Sequence, residues 1–360
     1  MKGQKMRRLS YFQICCLLAL SAVSCSSMGH KTIPRDQFDY NTAISNSWKE
    51  QMLLNMVRLR YGEAPMFVDV ATIIAQYSLE GEVSLTGGLN TSFLGDDTLS
   101  LGGRGRWYER PTVTYAPRIG RKFTRSILTP PPPSAIFFLF QGGWPADLVL
   151  GLNIRSINGV AKTLPDRSPN PAFSRILGAF TRLQDAGEMV VRQELRDRQL
   201  ITHMSFQDTD PDPEFQAALS VLQQQLRLPK DIEEFEVVFG RLPTKGNEIA
   251  VLTSSVLEML IELGVYFEVP PEHVEAGWTN PTSELTSEDL SWRAPIRVKA
   301  TKERPERAFV AVKNRGYWFW IDEADFRSKS RFSFLMILLS LAESGEEPAG
   351  PAVTISTGSQ

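Results

Sequence analysis

Residues 82–107 read EVSLTGGLNTSFLGDDTLSLGGRGRW, with large apolar side chains on odd numbers and small or polar ones on even numbers. A period of two sustained this long predicts two strands of an amphipathic β-hairpin, about residues 82–115 once RPTVTY extends the second strand. Both apolar faces coincide only if cross-strand partners have an even sum. A three-residue turn at Gly95-Asp96-Asp97 puts Leu94 opposite Thr98, a sum of 192, and Thr86 opposite Arg106. One face is then apolar, thinned by Gly87, Gly103 and Gly105, and the other is small, polar and basic.

Elsewhere the pattern alternates between helix and strand. Trp48, Met52, Asn55/Met56 and Leu59 follow a helical stripe that starts near Asn46 and stops at Gly62. Residues 65–81 leave strand and helix in competition, and the alternation around Phe67 favours a strand leading into the hairpin. Residues 119–128 predict a short helix, stopped by a proline run at 130–133 that is either a linker or a rigid turn. A buried helix over 134–144 and a strand over 147–157 follow. Residues 171–187 are a helix with Pro at its start and Gly at its stop. A strand pair (189–197, 199–207), a helix (214–228) and strands at 235–242 and 248–252 come next. Residues 254–267 begin as a helix and become a strand near Gly264. A hairpin turns at Asn314-Arg315-Gly316, and a last helix follows acids whose position suits the helix dipole. The expectation is an α+β fold with mixed, mainly antiparallel sheet, packed helices and the long hairpin.

The N-terminus bears on location. Lys2, Lys5, Arg7 and Arg8 precede an apolar run too short to span a bilayer as a helix, and small residues close it. Ala22-Val23-Ser24-Cys25 resembles the lipobox of bacterial outer-membrane lipoproteins. That resemblance implies cleavage between Ser24 and Cys25, lipid on Cys25, and outer-membrane sorting through Ser26. The expected divisions are a signal peptide (1–24), a lipidated tether (25–45), an N-terminal α+β region with the hairpin (46–129), a C-terminal α+β region (134–345) and a tail (346–360). The two α+β regions are continuous if the prolines are a turn. Of 39 Lys plus Arg, four leave with the leader, so 35 face 41 acids and the mature net charge is near −6. An acidic exported chain is not expected to bind nucleic acid. Cys15 and Cys16 also leave, so thiol catalysis and Cys-ligated metals are not expected.

Candidate chemistry is sparse. His30, His203 and His273 lack metal-ligand spacing, and no nucleophile-elbow or phosphate-loop motif is present. No enzyme activity, metal or cofactor is expected, and a periplasmic hydrolase built from distant residues is the third reading. Residues 208–214, DTDPDPE, resemble an EF-hand start but carry Pro213 where Gly is needed, so an acidic helix cap competes with a weak cation site. Tyr317-Trp318-Phe319-Trp320 is either core or a sugar-stacking platform. Arg104, Arg106, Arg110, Arg118, Arg121, Lys122 and Arg125 face only Glu109 between residues 104 and 125. They are either a solvated surface or a contact for anionic envelope material. The leading expectation is a lipid-anchored outer-membrane protein facing the periplasm, a structural or partner-binding component of an envelope assembly, with a protein partner or further copies of itself. The alternative is an oligomeric pore to which each copy contributes the 82–115 hairpin.

Overall fold

The computed structural model describes residues 32–74, 77–88, 98–109, 112–118, 121–164, 168–196, 199–206, 213–283 and 296–343. Helix α1 (Thr32–Arg60) opens it and ends before Gly62, whose φ of +74° suits a glycine stop. The helix takes in residues 32–45, expected as unstructured tether. Pro34 lies in its first turn, where the missing N–H has no partner to lose. Contacts divide the chain inside this helix, into units Met1–Glu50 and Gln51–Gln360. In the first, described side chains are exposed or half-exposed. In the second, Met52, Leu53, Asn55, Met56 and Val57 are buried.

Four strands follow: β1 (Phe67–Ile74), β2 (Tyr77–Gly88), β3 (Thr98–Glu109) and β4 (Thr112–Arg118). β1 pairs with β4 and β2 with β3, all antiparallel. Partners from Thr72 with Thr114 to Gly88 with Thr98 keep one sum, 186, so the two ladders share a register. A bulge between Val70 and Thr72 shifts it by one at the root. The expected strand over 65–81 is present as β1 and the start of β2.

Helices α2 (Arg121–Leu128), α3 (Pro133–Gln141) and α4 (Ala146–Asn153) come next. Between α2 and α3 the proline run is a turn inside the second unit: Pro133 is buried and Pro131 accepts a hydrogen bond from Thr253 Oγ1 (2.6 Å). Residues 147–153 are helical, correcting the expected strand, which begins only at Ile154. Every residue of α4 except Asp147 is buried, so neither period shows in its sequence.

A six-stranded sheet has the order β6-β5-β10-β9-β8-β7, from β5 (Ile154–Ile157), β6 (Val160–Ala161), β7 (Met189–Arg196), β8 (Gln199–Phe206), β9 (Glu234–Phe239) and β10 (Glu248–Thr253). Only β9 and β10 run parallel. Their short connection is fastened by buried Glu248, whose carboxylate accepts from Thr244 N and Oγ1 and from Lys245 N (2.7, 2.8 and 3.1 Å). Helix α5 (Pro171–Asp185), capped by Asn170, packs on α4 and on α6 (Pro213–Leu226). Ser255 and Glu258 form a capping box for α7 (Val256–Gly264). Beyond Gly264 the chain turns, with Tyr266 N bonded to Leu263 O, and the expected strand is absent there. Helix α8 (Pro271–Glu275), strands β11 (Lys299–Thr301), β12 (Ala308–Asn314) and β13 (Tyr317–Asp322), and helix α9 (Phe326–Glu343) complete the described chain. The three strands form a sheet ordered β11-β13-β12. The architecture is α+β with mainly antiparallel sheet, and one core containing Phe137, Phe173, Phe235, Phe267, Phe319 and Phe332 joins its layers.

Candidate functional site

Ser24, Cys25, Ser26 and Arg110 lie outside the described residues. Arg104 and Arg106 sit in β3, Arg118 ends β4, and Arg121, Lys122 and Arg125 belong to α2. The cations selected from sequence are thus divided between the two-stranded ribbon and the helix at its root.

The register corrects the expected pairing. Partners sum to 186 and not 192, which moves the connection to residues 89–97, outside the described residues. Both sums are even, so each position keeps its face and only its partner changes. Glu82 stands opposite Arg104 and Glu80 opposite Arg106, where the tight turn would have set Gly88 and Thr86. Opposite charges directly across an antiparallel pair stabilise it. Two acidic positions of β2 are thus register partners of two basic positions of β3, and Arg118, Arg121, Lys122 and Arg125 lie outside that pairing.

At the root, Phe67 meets Phe123 of α2 with ring centroids 5.7 Å apart, and Ile127 is buried one turn further on. Arg121 and Arg125, four apart on the helix, are both exposed. So are Thr112 to Pro117 of β4, Tyr115 at 63%. Helix α1 covers the start of β1. Asn55 Nδ2 donates to Met66 O and its Oδ1 accepts from Met66 N, each at 2.8 Å, while Gln51 Oε1 accepts from Val68 N at 2.8 Å. Beyond that point no third strand joins the ribbon among the described residues. Asn55 was visible in the sequence only as a polar residue inside an apolar stripe, the signature of a buried amide in need of partners.

The end of α1 is held by a second polar cluster. Tyr61 hydroxyl and His273 Nδ1 are hydrogen-bonded at 2.6 Å, and His273 is buried against Tyr61, Trp278 and Tyr317. Burial pushes the His273 pKa down, with Glu272 opposing and Arg315 reinforcing the shift. Burial also pushes Tyr61 up to about 12. The Arg315 guanidinium lies 5.1 Å from the Tyr61 ring and 5.2 Å from Trp278, and bonds Glu63 at 2.9 Å. Arg315 has φ +48° and Gly316 φ +87°, so these two residues, without Asn314, form the hairpin turn. Each of these groups is committed to a neighbour, which makes the cluster a clamp on α1.

The acidic stretch 208–214 is described only from Pro213, which begins α6 with Glu214 in its first turn. Among the described residues no three His, Cys, Asp or Glu side chains are placed to hold a metal ion, and no helix is long and apolar enough to cross a membrane. No protein-family model, curated protein or solved structure matches this chain.

Proposed function

We propose that this chain is an outer-membrane lipoprotein, anchored through Cys25 and facing the periplasm, that acts as a structural, partner-binding component of an envelope assembly. The ribbon is its assembly arm. One observation carries the reading: β2 and β3, 12 residues each, pair only with one another among the described residues. Isolated two-stranded hairpins are marginal in water, and open strand edges are templates for another chain. The cationic positions at the root add an attraction for phosphates or an acidic partner.

The pore reading is favoured by a length. Twelve residues at roughly 3.3 Å span about 40 Å, and a tilt of about 45° reduces that to about 28 Å, near the apolar band of a membrane barrel. Its lumen would carry Glu80, Glu82, Arg104 and Arg106 in balance, and would not select anions.

Native mass spectrometry of detergent-extracted protein tests the proposal. The expected mass exceeds one chain. Replacing residues 77–109 by an Asn-Gly turn is expected to reduce it to a monomer whose circular dichroism still reports a folded protein. A complex unchanged by that deletion overturns the role of the ribbon, and membrane partitioning unchanged in Cys25→Ser overturns the anchor.

A further inference from the structure

The connection from β11 to β12 has to cross β13. Both strands are antiparallel to β13 and flank it, so they run parallel to each other. Thr301 pairs with Trp318 but Ala308 pairs with Asp322, so residues 302–307 travel back four positions along β13 and over two strand spacings. That displacement is roughly 16 Å, from about 3.3 Å per residue and about 4.8 Å per spacing. Seven peptide links reach about 24 Å when extended. The surplus bows the segment into an arch.

Beside the arch is a cleft of about 760 Å³, within the size range of ligand sites. Strand alternation sends Phe319 and Ile321 into the core and leaves Trp318 and Trp320 half-buried on the opposite face. Core packing thus accounts for Phe319 but not for the two tryptophans. Trp320 and Asp322 line the cleft, and Arg304 lies 5.2 Å from the Trp318 ring.

Two features mark this cleft for a ligand. The Trp320 indole N–H is buried with no hydrogen-bond partner, a rare state for a buried donor. Exposed Glu303 and Glu306 line the arch with no ion pair among the described residues, and Arg307 beside them acts on Asp322, helping to hold its carboxyl below the usual range. Acids and bases in balance favour neither a simple anion nor a simple cation. Together with an indole they offer an apolar surface for ring C–H groups, acceptors for hydroxyls and charged donors for ring oxygens.

We propose that this cleft binds a pyranose saccharide, its ring against Trp320 and one of its oxygens accepting the indole N–H. Lys299 now lies 4.7 Å from the Trp320 ring and pairs with Asp322 at 2.9 Å. Lys302 and Arg304 of the arch lie over Tyr317 and Trp318 of β13, at 5.6 and 5.2 Å, contacts that have to give for a sugar oxygen to reach the buried indole N–H.

Isothermal calorimetry on the full chain tests this with two sugars, an N-acetylglucosamine trimer and lipopolysaccharide core oligosaccharide, and with an acidic hexapeptide for comparison. Saturable binding of either sugar is expected, and which one binds identifies the source. Trp320→Phe keeps a ring but removes the N–H, and weakens binding about 5-fold, the worth of one hydrogen bond. Glu306→Gln combined with Arg307→Gln, on exposed loop positions, also weakens it. Binding of the peptide and neither sugar overturns the proposal, as does sugar binding unchanged in both variants. The choice of sugars rests on the envelope reading, but a failed anchoring test with sugar binding intact would leave this site standing.

Discussion

Asn55 satisfies both backbone groups of Met66, donating from Nδ2 and accepting at Oδ1 at 2.8 Å each, and is itself 1% exposed. Two turns of apolar helix surround an amide whose only task among the described contacts is to close the root of the ribbon. Asn55→Ala removes both partners of the exposed Met66 backbone, two part-buried hydrogen bonds at once, and is expected to cost about 2 kcal/mol. Gln51, half-buried with one such bond, is expected to cost about 1 kcal/mol as Gln51→Ala. Urea unfolding measures both, and equal losses would remove the distinction between the two anchors.

The register is open to a direct check. Ser84 faces Gly102 and Leu85 faces Leu101, so the double variants Ser84→Cys with Gly102→Cys and Leu85→Cys with Leu101→Cys bracket both kinds of antiparallel pair. In a Cys25→Ser background at least one is expected to form an intramolecular disulfide under mild oxidation. Thr86→Cys with Arg106→Cys, partners under the tight-turn register, is expected to form none. Those positions are offset by six residues along the ladder, about 20 Å.

The clamp on α1 predicts losses of stability at both ends of the pH scale. His273 resists a proton that the unfolded chain accepts near pH 6.5, because burial lowers its folded pKa. Its contribution is whole above about pH 6.5 and is lost as pH falls towards the folded value. Tyr61 keeps its proton up to about 12, while an unfolded tyrosine releases it near 10. Its contribution is whole below pH 10 and is lost between pH 10 and 12. Melting temperature against pH should fall in both windows, and Tyr61→Phe should flatten the alkaline one relative to the parent chain.

Elements with one solvated face are legible in the sequence. Helix α5 shows Phe173, Ile176, Phe180 and Leu183 at helical spacing between Pro171 and Gly187, and folds as expected. Helix α4 is not legible, since burial on all sides erases the period that separates helix from strand. Parity alone determines the faces of the ribbon, so they survive a wrong partner list. The register sets Glu80 and Glu82 opposite Arg106 and Arg104, a non-local pairing that the good local turn at Gly95-Asp96-Asp97 hides from a reading of the sequence. Asn314 illustrates the same conflict at closer range. Its type favours a left-handed turn position, yet Arg315 takes it and is held there by Glu63 and the faces of Tyr61 and Trp278. For the root, the sequence shows that Asn55 is out of place on its stripe but cannot show that Met66 is its partner.

A buried charge pair supplies the last test. Arg331, 5% exposed, lies 3.4 Å from Asp147, and its Nη1 is buried with no hydrogen-bond partner. Burial lowers its pKa, with Asp147 opposing the shift. Lys162, also 5% exposed, pairs with Glu262 at 2.9 Å along the same crevice. A cation enclosed in this way is tolerated only while a carboxylate answers it. Asp147→Ala leaves the guanidinium only the weaker influence of Asp325 and is expected to cost about 2 kcal/mol, discounted because Asp147 keeps a third of its surface in water. Arg331→Met removes the cation and its orphaned N–H together while filling the same volume, and is expected to be close to neutral. Losing the acid should therefore hurt more than losing the base. Urea unfolding of the two variants decides it: a larger loss for Arg331→Met would mean that packing of the arginine stem, and not compensation of its charge, holds α9 against α4.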